Sequence, residues 1–162
     1  MPKKEVNKNT VLDRMRFVKD KTPSNLALVS IVFDVLYFVV IYRINKEYFY
    51  TLMMGVSIVT NLFYMLLAFL CSEEVKNYHG KFGYLMIALG IVQIVRIFIY
   101  PLSATNATAL VAGEMNQVME SATFVKCCVY LCGSAAVMIV GGLISIKNSK
   151  TLENYMATLE KK

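Results

Sequence analysis

Four long apolar runs, separated by short polar segments, dominate the chain. They cover residues 25–42, 48–71, 82–102 and 122–146. A helix that crosses a bilayer needs about 20 mostly apolar residues, each rising about 1.5 Å. Every run is close to that length, and a chain of 162 residues holds too little other protein to bury four such helices in a soluble core. We therefore predict an all-α integral membrane protein whose fold is a bundle of four transmembrane helices.

The composition supports a membrane protein. Hydrophobic residues make up 57% of the chain and charged residues 17%, with a mean hydropathy of +0.53, whereas soluble domains are about half apolar and about a quarter charged. The first 21 residues are polar and basic and lack the apolar core of a signal peptide. We thus divide the chain into a basic tail (1–21), a membrane domain (22–146) and a C-terminal tail (147–162).

The distribution of Lys and Arg predicts the orientation. Seven lie in the N-terminal tail, two in the loop between the second and third runs and four in the C-terminal tail, whereas residues 103–121 contain none. Because Lys and Arg resist translocation, this bias places both termini in the cytoplasm. The expected arrangement is two antiparallel helical hairpins in the cell (plasma) membrane.

The polar segments contain apolar stripes of their own. In the basic tail, Val11, Met15 and Val18 have helical spacing among cations, which favours an amphipathic helix on the inner leaflet; a solvated tail fits equally well. The outer loop has a stripe that predicts an interfacial helix or an extension of the fourth span: Val111, Met115, Val118, Ala122. The C-terminal tail has a stripe suited to a membrane surface or a partner helix: Leu152, Tyr155, Met156, Leu159.

Residues 30–37 and 57–64 are similar in sequence, with four of eight positions identical and Asp34 aligned with Asn61. Transporters often contain inverted repeats, so a repeat is one interpretation. Convergent packing of two Ile- and Val-rich spans is the other.

Polar side chains inside the spans define the candidate site. Ionisable groups within a bilayer are costly unless they are paired, so they should face inward. The side chain of Arg96 leans toward its helix N-terminus and hence toward Asp34. We predict an Asp34–Arg96 pair, with Gln93 and Asn61 completing its hydrogen bonds. The predicted intramembrane cluster is Asp34, Asn61, Gln93, Arg96, Tyr37 and Tyr64.

Two roles are open for this cluster. It is either a buried pair that sets helix register or a site for a substrate or ion. Lys126, in the outer half of the fourth span, is expected to extend to the outer interface instead.

The cysteines and the histidine do not predict chemistry. Cys127, Cys128 and Cys132 form no C-x-x-C pair, and His79, the only histidine, lies at the opposite surface. We expect no metal and no cofactor. Cys128, Cys132 and Ala136 have the spacing of a small-residue packing face, which Gly141 and Ser145 would continue.

Recognised enzyme motifs are missing from the sequence, and its basic charge follows topology rather than nucleic-acid binding. Our leading hypothesis is a non-catalytic accessory, assembly or regulatory subunit of a larger membrane complex. Its partners would be the lipid bilayer and either another membrane protein or further copies of the chain. The alternative is a small oligomeric transporter or channel that uses Asp34 and Arg96.

Overall fold

The structure, a computed structural model, describes residues 10–42, 51–111 and 114–160. Within these ranges, four helices are long and apolar enough to cross a membrane, which confirms the predicted class. They are α1 (Lys21–Tyr42), α2 (Thr51–Val75), α3 (Gly80–Ile99) and α5 (Ser121–Glu160). Between α3 and α5 lie a short helix α4 (Pro101–Asn106) and two strands, β1 (Thr108–Val111) and β2 (Glu114–Gln117). The predicted start of the second span at residue 48, and residues 1–9 of the basic tail, fall outside the described residues.

Helix boundaries follow from local chemistry. Asp20 caps α1, because its Oδ1 accepts a hydrogen bond from the backbone N–H of Thr22 at 3.2 Å. The backbone N–H of Tyr100 still donates to the carbonyl of Arg96 at 3.3 Å, but Pro101 has no N–H and begins α4. The third apolar run is therefore divided into two helices.

Helix α5 is the centre of the packing, with its largest contacts on α3 and α1. Glycines allow the closest approach of α3 and α5: a Cβ added to Gly142 would lie only 2.7 Å from the carbonyl oxygen of Gly83. Small residues let membrane helices gain packing contacts that lipid does not offer. Among the neighbouring pairs of long helices, α2 and α3 contact each other least.

The prediction of a helix in the loop before α5 is wrong. Strands β1 and β2 pair in antiparallel orientation, with Thr108 opposite Gln117 and Val111 opposite Glu114. Val111 lies in β1 and Met115 in β2, so the spacing of the stripe along the chain does not correspond to one face of a helix. Val118 and Met119, after β2, are buried in the adjacent core.

The predicted packing face of α5 is also wrong in part. Cys132 and Ala136 are exposed and Cys128 is only half-buried, whereas Gly141 and Ser145 are buried as expected. The buried face consists of Cys127, Leu131, Ser134, Ala135, Met138, Gly141, Gly142 and Ser145. Small residues occur on both faces of α5, and the polar Ser134 determines which face turns inward.

At one end of the bundle, three segments form what we call the basal region: residues 10–20, 76–80 and 147–160. The backbone N–H of Asp20 donates to the carbonyl of Lys76 at 3.0 Å, and Asn148 Nδ2 donates to Asp20 Oδ2 at 2.6 Å. The hydroxyl of Tyr155 donates to Asp13 Oδ1 at 2.7 Å. These bonds hold the segment before α1 against the extension of α5.

Candidate functional site

Seven polar side chains from four helices meet inside the bundle, and we call them the central cluster. They are Ser30 and Asp34 on α1, Asn61 and Tyr64 on α2, Gln93 and Arg96 on α3, and Ser134 on α5. All seven are buried. Each helix contributes from a single face, because residues three or four apart lie above one another on a helix.

Asp34 accepts hydrogen bonds from two other helices. Its Oδ1 accepts from Gln93 Nε2 at 2.6 Å and from Arg96 Nη1 at 3.3 Å, and its Oδ2 accepts from the Ser134 hydroxyl at 3.0 Å. The residue is 0% exposed. A buried carboxylate with these partners links α1 to α3 and α5.

Arg96 extends the network to α2. Its Nη1 also donates to Gln93 Oε1 at 2.6 Å, and its Nη2 donates to Asn61 Oδ1 at 2.8 Å. The guanidinium carbon lies 5.0 Å from the ring centroid of Tyr37 and 5.9 Å from that of Tyr64. The two rings therefore provide cation–π contacts to the guanidinium, in addition to its carboxylate partner.

Sequence reasoning missed Ser134. Its hydroxyl lies 2.8 Å from that of Ser30, 3.3 Å from that of Tyr64 and 3.0 Å from Gln93 Nε2. Serine is common in the small-residue faces of membrane helices, so type alone did not mark it. The sequence contains no spacing that sets Ser134 apart from the other small residues of the fourth span.

The two similar segments of α1 and α2 pack against each other reciprocally. The hydroxyls of Ser30 and Tyr64 are 3.0 Å apart, and Asn61 Nδ2 donates to the backbone carbonyl of Asp34 at 3.4 Å. At the other end of the match, the Tyr37 hydroxyl faces Ser57, without a hydrogen bond of normal geometry. Each serine thus faces the tyrosine of the opposite helix, which gives the sequence similarity a packing role.

A cavity of about 100 Å³ lies beside the cluster. Its polar lining includes Arg96, Tyr37 and Ser57, and its apolar lining includes Val56 and Ile99. A water molecule takes up about 30 Å³ of liquid volume, so the space suits a few waters or a small polar ligand.

The other candidate residues lie away from the cluster. Lys126 is exposed near the start of α5, and Cys127 is buried in an apolar core. His79 Nδ1 lies 2.7 Å from Glu74 Oε2 near the basal region. The described residues contain no group of His, Cys, Asp or Glu side chains that could hold a metal ion.

A larger groove, of about 740 Å³, runs along the extension of α5, and we call it the basal groove. Tyr84, Ile146 and Met156 contribute apolar surface, and Lys150 and Glu153 contribute charges of both signs. An amphipathic peptide segment matches this mixture better than a small ion does.

The central cluster can hold a charge pair in a fixed position and can connect four helices; its hydroxyls and amides already bond one another. Searches for similar proteins add no family to this description: no family model, curated protein or solved structure matches the chain.

Proposed function

We propose that this protein is a non-catalytic multi-pass membrane protein that serves as an accessory, assembly or regulatory subunit of a larger membrane complex. The observation that carries the proposal is the mutual pairing inside the central cluster. The Asp34 carboxylate and the Arg96 guanidinium, 3.3 Å apart, neutralise each other, and Gln93, Asn61 and Ser134 bond to them. Such a pair suits a scaffold that keeps four helices in register.

We further propose that the spans form two antiparallel hairpins in the plasma membrane with both termini in the cytoplasm. The support is the charge distribution, in which thirteen of the seventeen Lys and Arg residues fall on the side assigned to the cytoplasm. The basal region and the basal groove would then face the cytoplasm.

The basal groove is the surface that we assign to the partner subunit. Its apolar side chains lie on α5 and α3, which are packed closely together, so a bound segment would contact a rigid surface. Charges of both signs at its rim favour a partner segment that is itself amphipathic.

Extraction in a mild detergent, followed by affinity purification and mass spectrometry, tests this function. We expect a stoichiometric membrane-protein partner that Met156→Glu removes, because the charge would enter the groove. Leu159→Glu is the matched control: Leu159 is 39% exposed, against 36% for Met156, and lies outside the groove lining. Isolation of the chain with only further copies of itself would contradict the accessory role.

A second candidate function is a small transporter or channel that is completed by oligomerisation. The cavity beside the cluster favours it, because Arg96 and Tyr37 both line that space. Its test is flux in proteoliposomes. Solute or ion movement that Asp34→Asn abolishes, in a variant that still folds, would replace the accessory role with this one.

A further inference from the structure

The segment that leads into α1 and includes its first residue, residues 10–21, combines exposed apolar and basic side chains, and we call it the anchor segment. A helical turn over residues 10–15 leads into a tight turn in which the backbone N–H groups of Phe17 and Val18 both donate to the carbonyl of Arg14 at 3.0 Å. This turn leaves Phe17 83% exposed and Val18 57% exposed. Nothing in the accessory role described above requires these exposed side chains.

Hydrogen bonds at both ends hold the anchor segment against the end of α2 and the extension of α5. Asp20 is bonded to Lys76, one residue beyond the end of α2, and to Asn148 of α5. Asp13 is bonded to Tyr155. Phe17 is three residues from Asp20 and therefore at most about 11 Å from it along an extended chain. The ring is therefore within reach of the lipid–water boundary predicted at the start of α1, where aromatic side chains are favourable.

The anchor segment carries more positive than negative side chains. Four cations, Arg14, Arg16, Lys19 and Lys21, are exposed. The two acidic side chains already have partners: Asp13 accepts from Tyr155, and Asp20 accepts from Asn148 and caps α1. Four cations against two carboxylates leave the segment with a net charge of +2, which would attract an external anion.

A cavity of about 310 Å³ lies between the anchor segment and the loop after α2. Arg16, Lys19 and Lys76 line it together with Phe17 and Val18. Lys76 pairs with Glu73, with their charged atoms 2.5 Å apart, whereas Arg16 approaches Asp13 only at 4.0 Å, an exposed ion pair that contributes little. Cations around a space with apolar edges match a phosphate-bearing head group attached to acyl chains.

We propose that the anchor segment is a binding site for anionic phospholipid, with the head group held by Arg16 and Lys19 and with Phe17 inserted among the acyl chains. A bilayer surface is favoured over an acidic protein because hydrogen bonds fix the segment beside the ends of the spans. The site does not depend on the accessory role or on the orientation of the chain.

The absence of tryptophan from the sequence provides a direct experiment. Phe17→Trp introduces a single fluorophore at the proposed point of insertion. The protein is placed in nanodiscs of phosphatidylcholine, with or without about a third phosphatidylserine, a content chosen to give a clearly anionic surface. Quenching by brominated acyl chains then measures insertion.

We expect at least twofold stronger quenching in the discs that contain phosphatidylserine. Salt at about 1 M should remove the difference, because it shortens the screening length of charge–charge attraction to about 3 Å. Arg16→Gln together with Lys19→Gln should also remove it. Phe98→Trp, on the exposed face of α3, is the control for a position in lipid and should be quenched equally in both discs. Leu159→Trp, near the end of α5, is the control for a position in water.

Equal quenching of Phe17→Trp in both lipids, or none in either, would overturn the proposal. A second result would also overturn it. If poly-glutamate reduces the quenching of this tryptophan by acrylamide in discs of phosphatidylcholine alone, the segment binds an acidic protein instead. If Phe17→Trp fails to give a monodisperse protein, Val18→Trp provides the same measurement one residue along.

Discussion

The central cluster makes a quantitative prediction about Asp34. Asp34→Asn preserves the size of the side chain but removes its charge, and leaves a guanidinium that is only 7% exposed without a counterion. Removing one member of a buried ion pair costs about 3–5 kcal/mol. At about 1.4 kcal/mol per factor of ten, the unfolding equilibrium constant should rise by roughly two to three and a half orders of magnitude.

A second substitution should restore most of this loss. Asn61 Oδ1 already accepts from Arg96 Nη2 at 2.8 Å, so Asn61→Asp in the same chain returns a carboxylate to the guanidinium without a change in volume. It gives up only the long bond from Asn61 Nδ2 to the carbonyl of Asp34, at 3.4 Å, and a contact with Met65 Sδ at 3.5 Å. We expect the double variant to lie within about 1–2 kcal/mol of the wild type. Asn61→Asp alone should destabilise, because two carboxylates would share one cation.

Two cysteines provide the assay. Cys71 on α2 and Cys127 on α5 are both 0% exposed, so alkylation of their thiols reports unfolding at two places. Cys128→Ser and Cys132→Ser remove the more accessible thiols. The free energy of unfolding is measured by titration with SDS in mixed micelles. The reasoning is refuted if Asp34→Asn unfolds at the same SDS fraction as the wild type, or if the double variant is no more stable than Asp34→Asn.

Three further predictions concern packing, the basal region and topology. Gly142→Ala should destabilise the bundle by about 1–3 kcal/mol through overpacking against the backbone of Gly83, whereas Gly55→Ala, with nothing within 4 Å of the added carbon, should be neutral or stabilising in the same SDS titration. Asp20→Ala should make trypsin cleave the anchor segment several times faster, because the bonds of Asp20 no longer hold it in place. Asn148→Ala should produce part of that increase, because it removes one of the same bonds. An unchanged cleavage rate in both variants would argue against a stabilising role of these bonds. Reporters fused to either terminus should both be cytoplasmic, and an external C-terminal reporter would contradict the proposed orientation.

Hydrophobicity and length were sufficient to predict four membrane helices. Spacing also predicted which face of the first three helices turns inward, because a lone Asp34 or Arg96 in an apolar run has few acceptable environments. The structure brings those side chains together, and whether they have a function beyond structure stays a prediction. In α1 and α3, a charge that faces lipid is so costly that Asp34 and Arg96 each favour one inward face.

The same reasoning was weaker for side chains whose position, inward or facing lipid, makes only a small difference in free energy. Helix α5 has small residues around most of its circumference, so Cys132 was placed on the packing face although it is exposed. Ser134 was missed because a hydroxyl costs less to bury than a charge. The pairing of β1 with β2 was missed because it depends on a contact between two segments, and a periodicity read along one segment does not contain that information.

The length of α5 has a mechanical consequence. Its 40 residues form one uninterrupted helix that continues about 14 residues beyond the predicted membrane boundary, or about 21 Å at the helical rise. Such a rod acts as a lever: a change of tilt by about 10° within the bilayer would displace its far tip by about 4 Å, since that tip lies about 21 Å out. A change in bilayer thickness, or contact with another protein in the membrane, could change the tilt of the embedded part and would then displace the other end of the helix.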